Sequence, residues 1–137
     1  MAKLFSFTMC ETINNMQVMG NSVPMLIAPQ IALCPQFVPG NFSFGLAVGV
    51  SEIDLRLKNQ IKFVICDPTG SEVYNSGETS LPIVANEDVL PREYQGFMMC
   101  VDIRNMTIPC EGAYVFSVDL NGEQIAKKMI PIYKKKI

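Results

Sequence analysis

Residues 42–51 read FSFGLAVGVS, and this stretch decides the fold. Phe42, Phe44, Leu46, Val48 and Val50 alternate without a break with Ser43, Gly45, Ala47, Gly49 and Ser51. Successive side chains of an extended strand point to opposite faces, so the two sets separate onto a bulky side and a nearly bare one. A helix would scatter the same residues around its circumference. Burying the five large side chains is worth roughly 8–15 kcal/mol gross, before the entropy of ordering the chain is subtracted. The stretch predicts a long core strand that the remaining chain covers.

The flanking sequence supplies the cover. Residues 3–12 alternate, with Phe5, Phe7 and Met9 opposed to Ser6, Thr8 and Cys10. Asn14-Asn15 offers a turn tolerant of positive φ, with 16–19 returning as the hairpin partner and Gly20-Asn21 closing it. Residues 22–40 carry Pro24, Pro29, Pro35 and Pro39, none of which fits a central strand. This stretch reads as edge segments or a connection bridging two sheets, and as a candidate partner-binding edge. Residues 51–59 either extend the central strand or form a loop. Residues 60–66 form a strand with Ile61, Phe63 and Ile65 inward, turned by Asp67-Pro68-Thr69-Gly70 onto 71–75. A long surface connection, 76–92, leads to a second long strand, 94–106, with Phe97, Met99, Val101 and Ile103 on one face. Asn121-Gly122 is the strongest hairpin signal and joins 114–120 to 124–132. Its register sets Val118 against Ile125, Tyr114 against Met129, and Phe116 against Lys127, whose stem covers the ring. Pro131 makes the last strand an edge or a bulge. Seven to nine strands without an amphipathic helix predict an all-β, two-sheet antiparallel β-sandwich, immunoglobulin-like, as one domain over 1–137.

Composition narrows the function. Of 137 residues, 49% are hydrophobic and only 18% charged, which fits a packed domain and no disordered tail. A net charge of −2 argues against a nucleic-acid binder that works by neutralising phosphates. Lys127, Lys128 and Lys134 to Lys136 read as a solvated strand and frayed tail. Apolar runs are too short to span a bilayer, so no membrane insertion is expected. The first fifteen residues show no apolar leader core, and the expected location is cytoplasmic. Five cysteines, widely spaced, meet no histidine, which excludes the usual zinc sites and leaves a catalytic thiol without its usual base. Cys10, Cys66 and Cys100 sit in apolar strand context as small hydrophobes, while Cys34 and Cys110 lie next to prolines and are expected to be more exposed. No cofactor is expected.

The order of these pieces resembles that of a family of short bacterial proteins known only as a domain of unknown function. The likeness runs from Met9-Cys10-Glu11 through Cys66-Asp67-Pro68-Thr69-Gly70 to the ending Pro109-Cys110-Glu111-Gly112-Ala113-Tyr114-Val115-Phe116 and Asp119-Leu120-Asn121-Gly122-Glu123. It covers nearly the whole chain and implies a small β-sandwich. Similar endings recur in fibronectin-type and immunoglobulin-like sandwiches. The motifs are turn chemistry, so the resemblance implies fold and transfers no catalytic residue.

No nucleophile elbow, phosphate loop or dinucleotide fingerprint is present. Paired acids at Glu52 and Asp54, or Glu87 and Asp88, read as solvated loops; with Asp67 they are the candidates for a calcium site at one end of the sandwich. The small face of the central strand (Ser43, Gly45, Ala47, Gly49, Ser51) reads in two ways. It is either roofed by long side chains from neighbouring strands or a flat surface for another sheet or subunit. Met98, on the neighbouring long strand, joins the candidate surface, and Met106 is expected outside as well. The sequence therefore predicts a non-enzymatic module for a protein partner or a homo-oligomer, a subunit of a larger bacterial assembly. The alternative is a small-ligand or glycan-binding sandwich using loops 67–70 and 76–92 with Tyr74 and Tyr94.

Overall fold

The structure, a computed structural model, describes residues 2–83 and 91–136. Among them nine strands form: β1 (Lys3–Val18), β2 (Asn21–Gln30), β3 (Gly40–Ser51), β4 (Gln60–Cys66), β5 (Glu72–Asn75), β6 (Thr79–Ser80), β7 (Gly96–Ile108), β8 (Gly112–Leu120) and β9 (Glu123–Ile132). The first sheet has the order β2-β1-β3-β7, the second β5-β4-β8-β9, with β6 also on β4. Every pairing between strands is antiparallel. The chain is an all-β sandwich of two antiparallel sheets, as its alternation predicts. A corner typical of such sandwiches is present too: the Tyr114 hydroxyl, at the start of β8, donates to the Cys110 carbonyl at 2.7 Å.

The core lies between the sheets. Phe44, Leu46, Val48 and Val50 of β3 are buried, as are Met9 of β1 and Ile103 of β7. They meet Ile61, Phe63 and Ile65 of β4 and Tyr114, Phe116 and Val118 of β8. The Phe116 ring stands 4.9 Å from Phe7 and 5.5 Å from Phe63, which ties the two layers at their centre.

Four expectations shift, each by one local irregularity. The first hairpin turns at Met19-Gly20, with φ of 49° and 82°, because β1 continues through Asn14 and Asn15 to Val18. Glycine supplies the left-handed geometry that a tight turn needs, and Asn14-Asn15 stays in the ladder opposite Met25 and Pro24. Phe5 leaves the core face because the register of β1 on β3 shifts between Leu4 and Ser6, and Leu4 takes its place opposite Val50. Met106 is buried, not outside: an extra residue in β7, with Asn105 at φ 53°, sets Met106 opposite Phe42 and Ile103 opposite Phe44. In the last hairpin the Asn121-Gly122 turn is as expected, yet a bulge at Ile125, between the Val118 and Asp119 pairings, sets Val118 against Ala126 and Tyr114 against Ile130. That slip brings Ile130 and Ile132 into the core, and Lys128, opposite Phe116, borders Leu4 and Phe7.

The proline-rich stretch bridges the sheets. After β2, Leu33 is buried and forms a parallel bridge to Ile132 of β9. The Leu33 N–H donates to the Pro131 carbonyl at 2.9 Å, the Tyr133 N–H to Leu33 at 3.1 Å, and the Lys135 N–H to Pro35 at 2.8 Å. Residues 52–59 are a connection, with Ile53 buried.

Candidate interaction surface

The outer side of the first sheet carries the small residues of β3. Gly45, Ala47, Gly49 and Ser51 are all buried there, and Ser43 is half-buried. Their cover comes from the neighbouring strands. A Cβ on Gly45 would stand 2.7 Å from Ile13 Cγ1 and 2.9 Å from Cys10 Sγ. A Cβ on Gly49 would stand 2.5 Å from both Met98 Sδ and Ser6 Oγ. The Met98 side chain thus reaches from β7 across β3, where the Ser6 hydroxyl donates to its sulfur at 3.6 Å. Ser43 Oγ accepts from the Asn105 N–H at 2.9 Å and so holds the bulge of β7. The small residues make room for a roof of Ile13, Cys10 and Met98; the outermost surface of this face is that roof.

Beside Met98 the roof is interrupted by a groove of about 250 Å³, floored by Gly49 and Gly96 and walled by Phe5, Tyr94 and Met98. The bulge that drives Phe5 out of the core aims it here. Tyr94 ends a short 3-10 turn, Arg92–Tyr94, just before β7. Gly96 permits the close approach: a Cβ there would collide with the Val50 carbonyl oxygen. Phe5 is 71% exposed, Tyr94 63% and Met98 59%. Phe5, Val50, Phe97 and Met98 line the groove with Tyr94 and Ser51, so most of what it offers is apolar contact. Its volume lies below the roughly 300–1,000 Å³ of small-molecule pockets and suits one or two side chains.

Of the expected surface residues, Met98 stands in the open, Gly45, Ala47, Gly49 and Ser51 are buried, and Ser43 is half-buried. Phe5 and Tyr94 are additions that the strand pattern does not foresee. The signal for Phe5 is the adjacent pair Leu4-Phe5, which breaks a strict period of two.

The loop acids are engaged locally. Asp67 Oδ1 accepts from the Thr69 hydroxyl at 2.6 Å, the Thr69 N–H at 2.9 Å and the Ser71 N–H at 2.9 Å. Glu52 pairs with Lys3 at 2.9 Å and Asp54 with Arg56 at 3.1 Å. Among the described residues no three acids, cysteines or histidines gather to hold a metal, and Glu87 and Asp88 lie outside those residues. Tyr74 sits half-buried on β5 against the core, apart from the groove that Tyr94 lines. Cys100, expected among the small hydrophobes, is exposed on the outer face of β7, and Cys34 is exposed as expected. Desolvation by burial pushes the Cys10 thiol up, away from the reactive thiolate.

The Thr69 hydroxyl, followed by the Ser71 and Thr69 N–H groups, holds the Asp67 carboxyl below its usual range against the opposing effect of burial. A carboxyl that titrates lower when folded stabilises fully above the unfolded value near about 4, and that contribution is lost as pH falls through the folded value. Asp67→Asn is therefore expected to be less stable than the parent at pH 7, with the two converging below about pH 4. Urea melts from pH 2 to 7 test this, and parallel pH curves would refute it.

No family model matches the chain, and no curated protein matches it. Solved structures do. Pseudomonas fluorescens alkylpurine DNA glycosylase AlkC, bound to DNA containing an abasic site analog, matches over 96% of this chain at 11% identity with a TM-score of 0.52. The chain spans 30% of the glycosylase's length. An immunoglobulin-like protein from Pseudomonas aeruginosa matches over 96% of both chains at 12% identity, with a TM-score of 0.36. Among the described residues no helix is long and apolar enough to cross a membrane. What the likeness to the glycosylase carries is the fold alone.

Proposed function

We propose that this chain is a non-enzymatic, cytoplasmic protein-interaction module that takes an apolar side chain of a protein partner into the groove beside Met98. The observation that carries the reading is the convergence of Phe5, Tyr94 and Met98, all exposed, around a side-chain-sized hollow without charge. Aromatic residues and methionine are enriched at protein interfaces, and thioethers adapt to irregular partners. A monomer that leaves three such residues together in water forgoes burial that a partner would supply.

Co-purification of the tagged chain from its host, run beside Met98→Lys and Phe5→Lys, tests the reading. At least one protein is expected on the parent and reduced about tenfold or more on both variants, a difference of about 1.4 kcal/mol. Both side chains are largely exposed, so both variants are expected to melt with the parent. Equal retention on all three would overturn the groove's role.

A further inference from the structure

The segment after β9 is fastened to the crossing segment. The Tyr133 and Lys135 N–H groups donate to the Leu33 and Pro35 carbonyls at 3.1 and 2.8 Å, and the Lys134 N–H donates to Glu111 Oε2 at 2.7 Å. Leu33 and Pro35, beside which it runs, are both buried. The lysines therefore stand on a fixed backbone and not on the frayed tail that their sequence suggests. That pairing sets Lys135 and Lys136 beside Gln36 and Phe37, and the four residues line a hollow of about 370 Å³. Its volume falls within the roughly 300–1,000 Å³ of small-molecule pockets. Phe37 is 72% exposed although its backbone is held closely: a Cβ on Gly40 would stand 2.9 Å from the Phe37 carbonyl oxygen. Among the described residues no carboxylate pairs with the ammonium of Lys135 or Lys136, whereas Lys3 and Lys62 each meet one. Like charges on neighbouring residues repel, and an anion set between them relieves the repulsion.

We propose that this hollow binds a small aromatic phosphate monoester of the nucleoside monophosphate kind. Each part of the hollow selects one part of that ligand. A phosphate monoester carries about two negative charges at pH 7, which the two ammonium groups match, and lysine binds phosphate as a point charge. The exposed Phe37 ring offers a face on which a planar base stacks. The Gln36 amide has a donor and an acceptor for the base edge or the ribose. Size and charge decide against a longer strand. The hollow has one aromatic ring and two cations, enough for one nucleotide, and the net charge of −2 gives the chain no general attraction for a polyanion. The hollow is also distinct from the Met98 groove: Gly40, against Phe37, starts β3, and Gly49, beneath Met98, lies about 30 Å further along that strand. The proposal therefore goes beyond the protein-interaction reading and does not depend on it.

Titration of the isotope-labelled full chain with adenosine monophosphate, followed by amide NMR shifts, tests it, beside adenosine and inorganic phosphate. Shifts are expected at residues 36–37 and 135–136, saturating with a Kd on the order of 0.1–1 mM. Adenosine and inorganic phosphate are each expected to bind about tenfold more weakly or less. Phe37→Ala is expected to weaken nucleotide binding about fivefold or more, and Lys135→Gln with Lys136→Gln about threefold or more at low salt. All three side chains are exposed, so the variants are expected to melt with the parent. Should Phe37→Ala fail to fold, Phe37→Leu, which keeps the bulk and removes the ring, takes its place. No shift at about 10 mM nucleotide overturns the proposal, as do shifts confined to other residues or variants that bind like the parent. Inorganic phosphate binding as tightly as the nucleotide would overturn the role of Phe37 and the ligand class with it. A short oligothymidylate binding about tenfold more tightly than the mononucleotide would overturn the small-molecule assignment in favour of a single strand.

Discussion

Phe116→Ala is expected to cost about 3–5 kcal/mol, the largest loss from any single truncation in this core. Phe116 is fully buried, and its ring meets Phe7 from the first sheet and Phe63 from its own at 4.9 and 5.5 Å. Removing it takes away the packing that fastens one layer to the other, and leaves a cavity that backbone ladders on both sides keep from closing. Domains of this size have about 5–15 kcal/mol in all, so roughly a fifth or more of the stability would go, with a fall in Tm of roughly 10–20 °C. Urea and thermal melts measure it. A loss under about 1 kcal/mol would mean that the sheets are held together elsewhere.

Gly45→Val is expected to cost about 2–3 kcal/mol, although the residue lies on the outer side of its sheet. The first added carbon already falls 2.7 Å from Ile13 and 2.9 Å from the Cys10 sulfur, so Ile13 must lift and strain the β1–β2 pairing at Leu26. Ile13→Ala should recover part of the loss when the two changes are combined, because it vacates the contested space. A neutral Gly45→Val would show an open roof and return the small face to the role of a bare docking slab. For the same reason arginine at Gly45 or Ala47 would report on folding before it reported on any partner.

The alternation of Phe42 to Val50 is legible because period two has a single physical reading, and Asn121-Gly122 because few residue pairs accept two positive φ angles. What the sequence conceals are places where one residue too many enters a strand. Phe5, Asn105 and Ile125 each reset the parity of the residues beyond them, and a bulge costs so little that nothing nearby in the chain announces it. The surface is half legible. Met98 can be placed from its own strand, but the roof over Gly45 comes from Ile13, thirty-two positions earlier, in a stretch that reads as the approach to a turn. Lateral contacts between strands set that cover, and one strand's pattern does not contain them.

The backbone pairing of Leu33 and Pro35 alongside β9 has a consequence for life at high concentration. Exposed ladder rims recruit further chains, and here each long rim is blunted by a different device. β9 is sheathed over its last residues by the chain's own crossing segment. β2 interposes Pro24 and Pro29, which have no N–H to offer. β7 carries the Asp102–Arg104 ion pair and is kinked at Asn105, and β5 is only four residues long. The exposed side chains of Phe5 and Met98 therefore sit on a sheet whose ladder rims are poor templates for further chains.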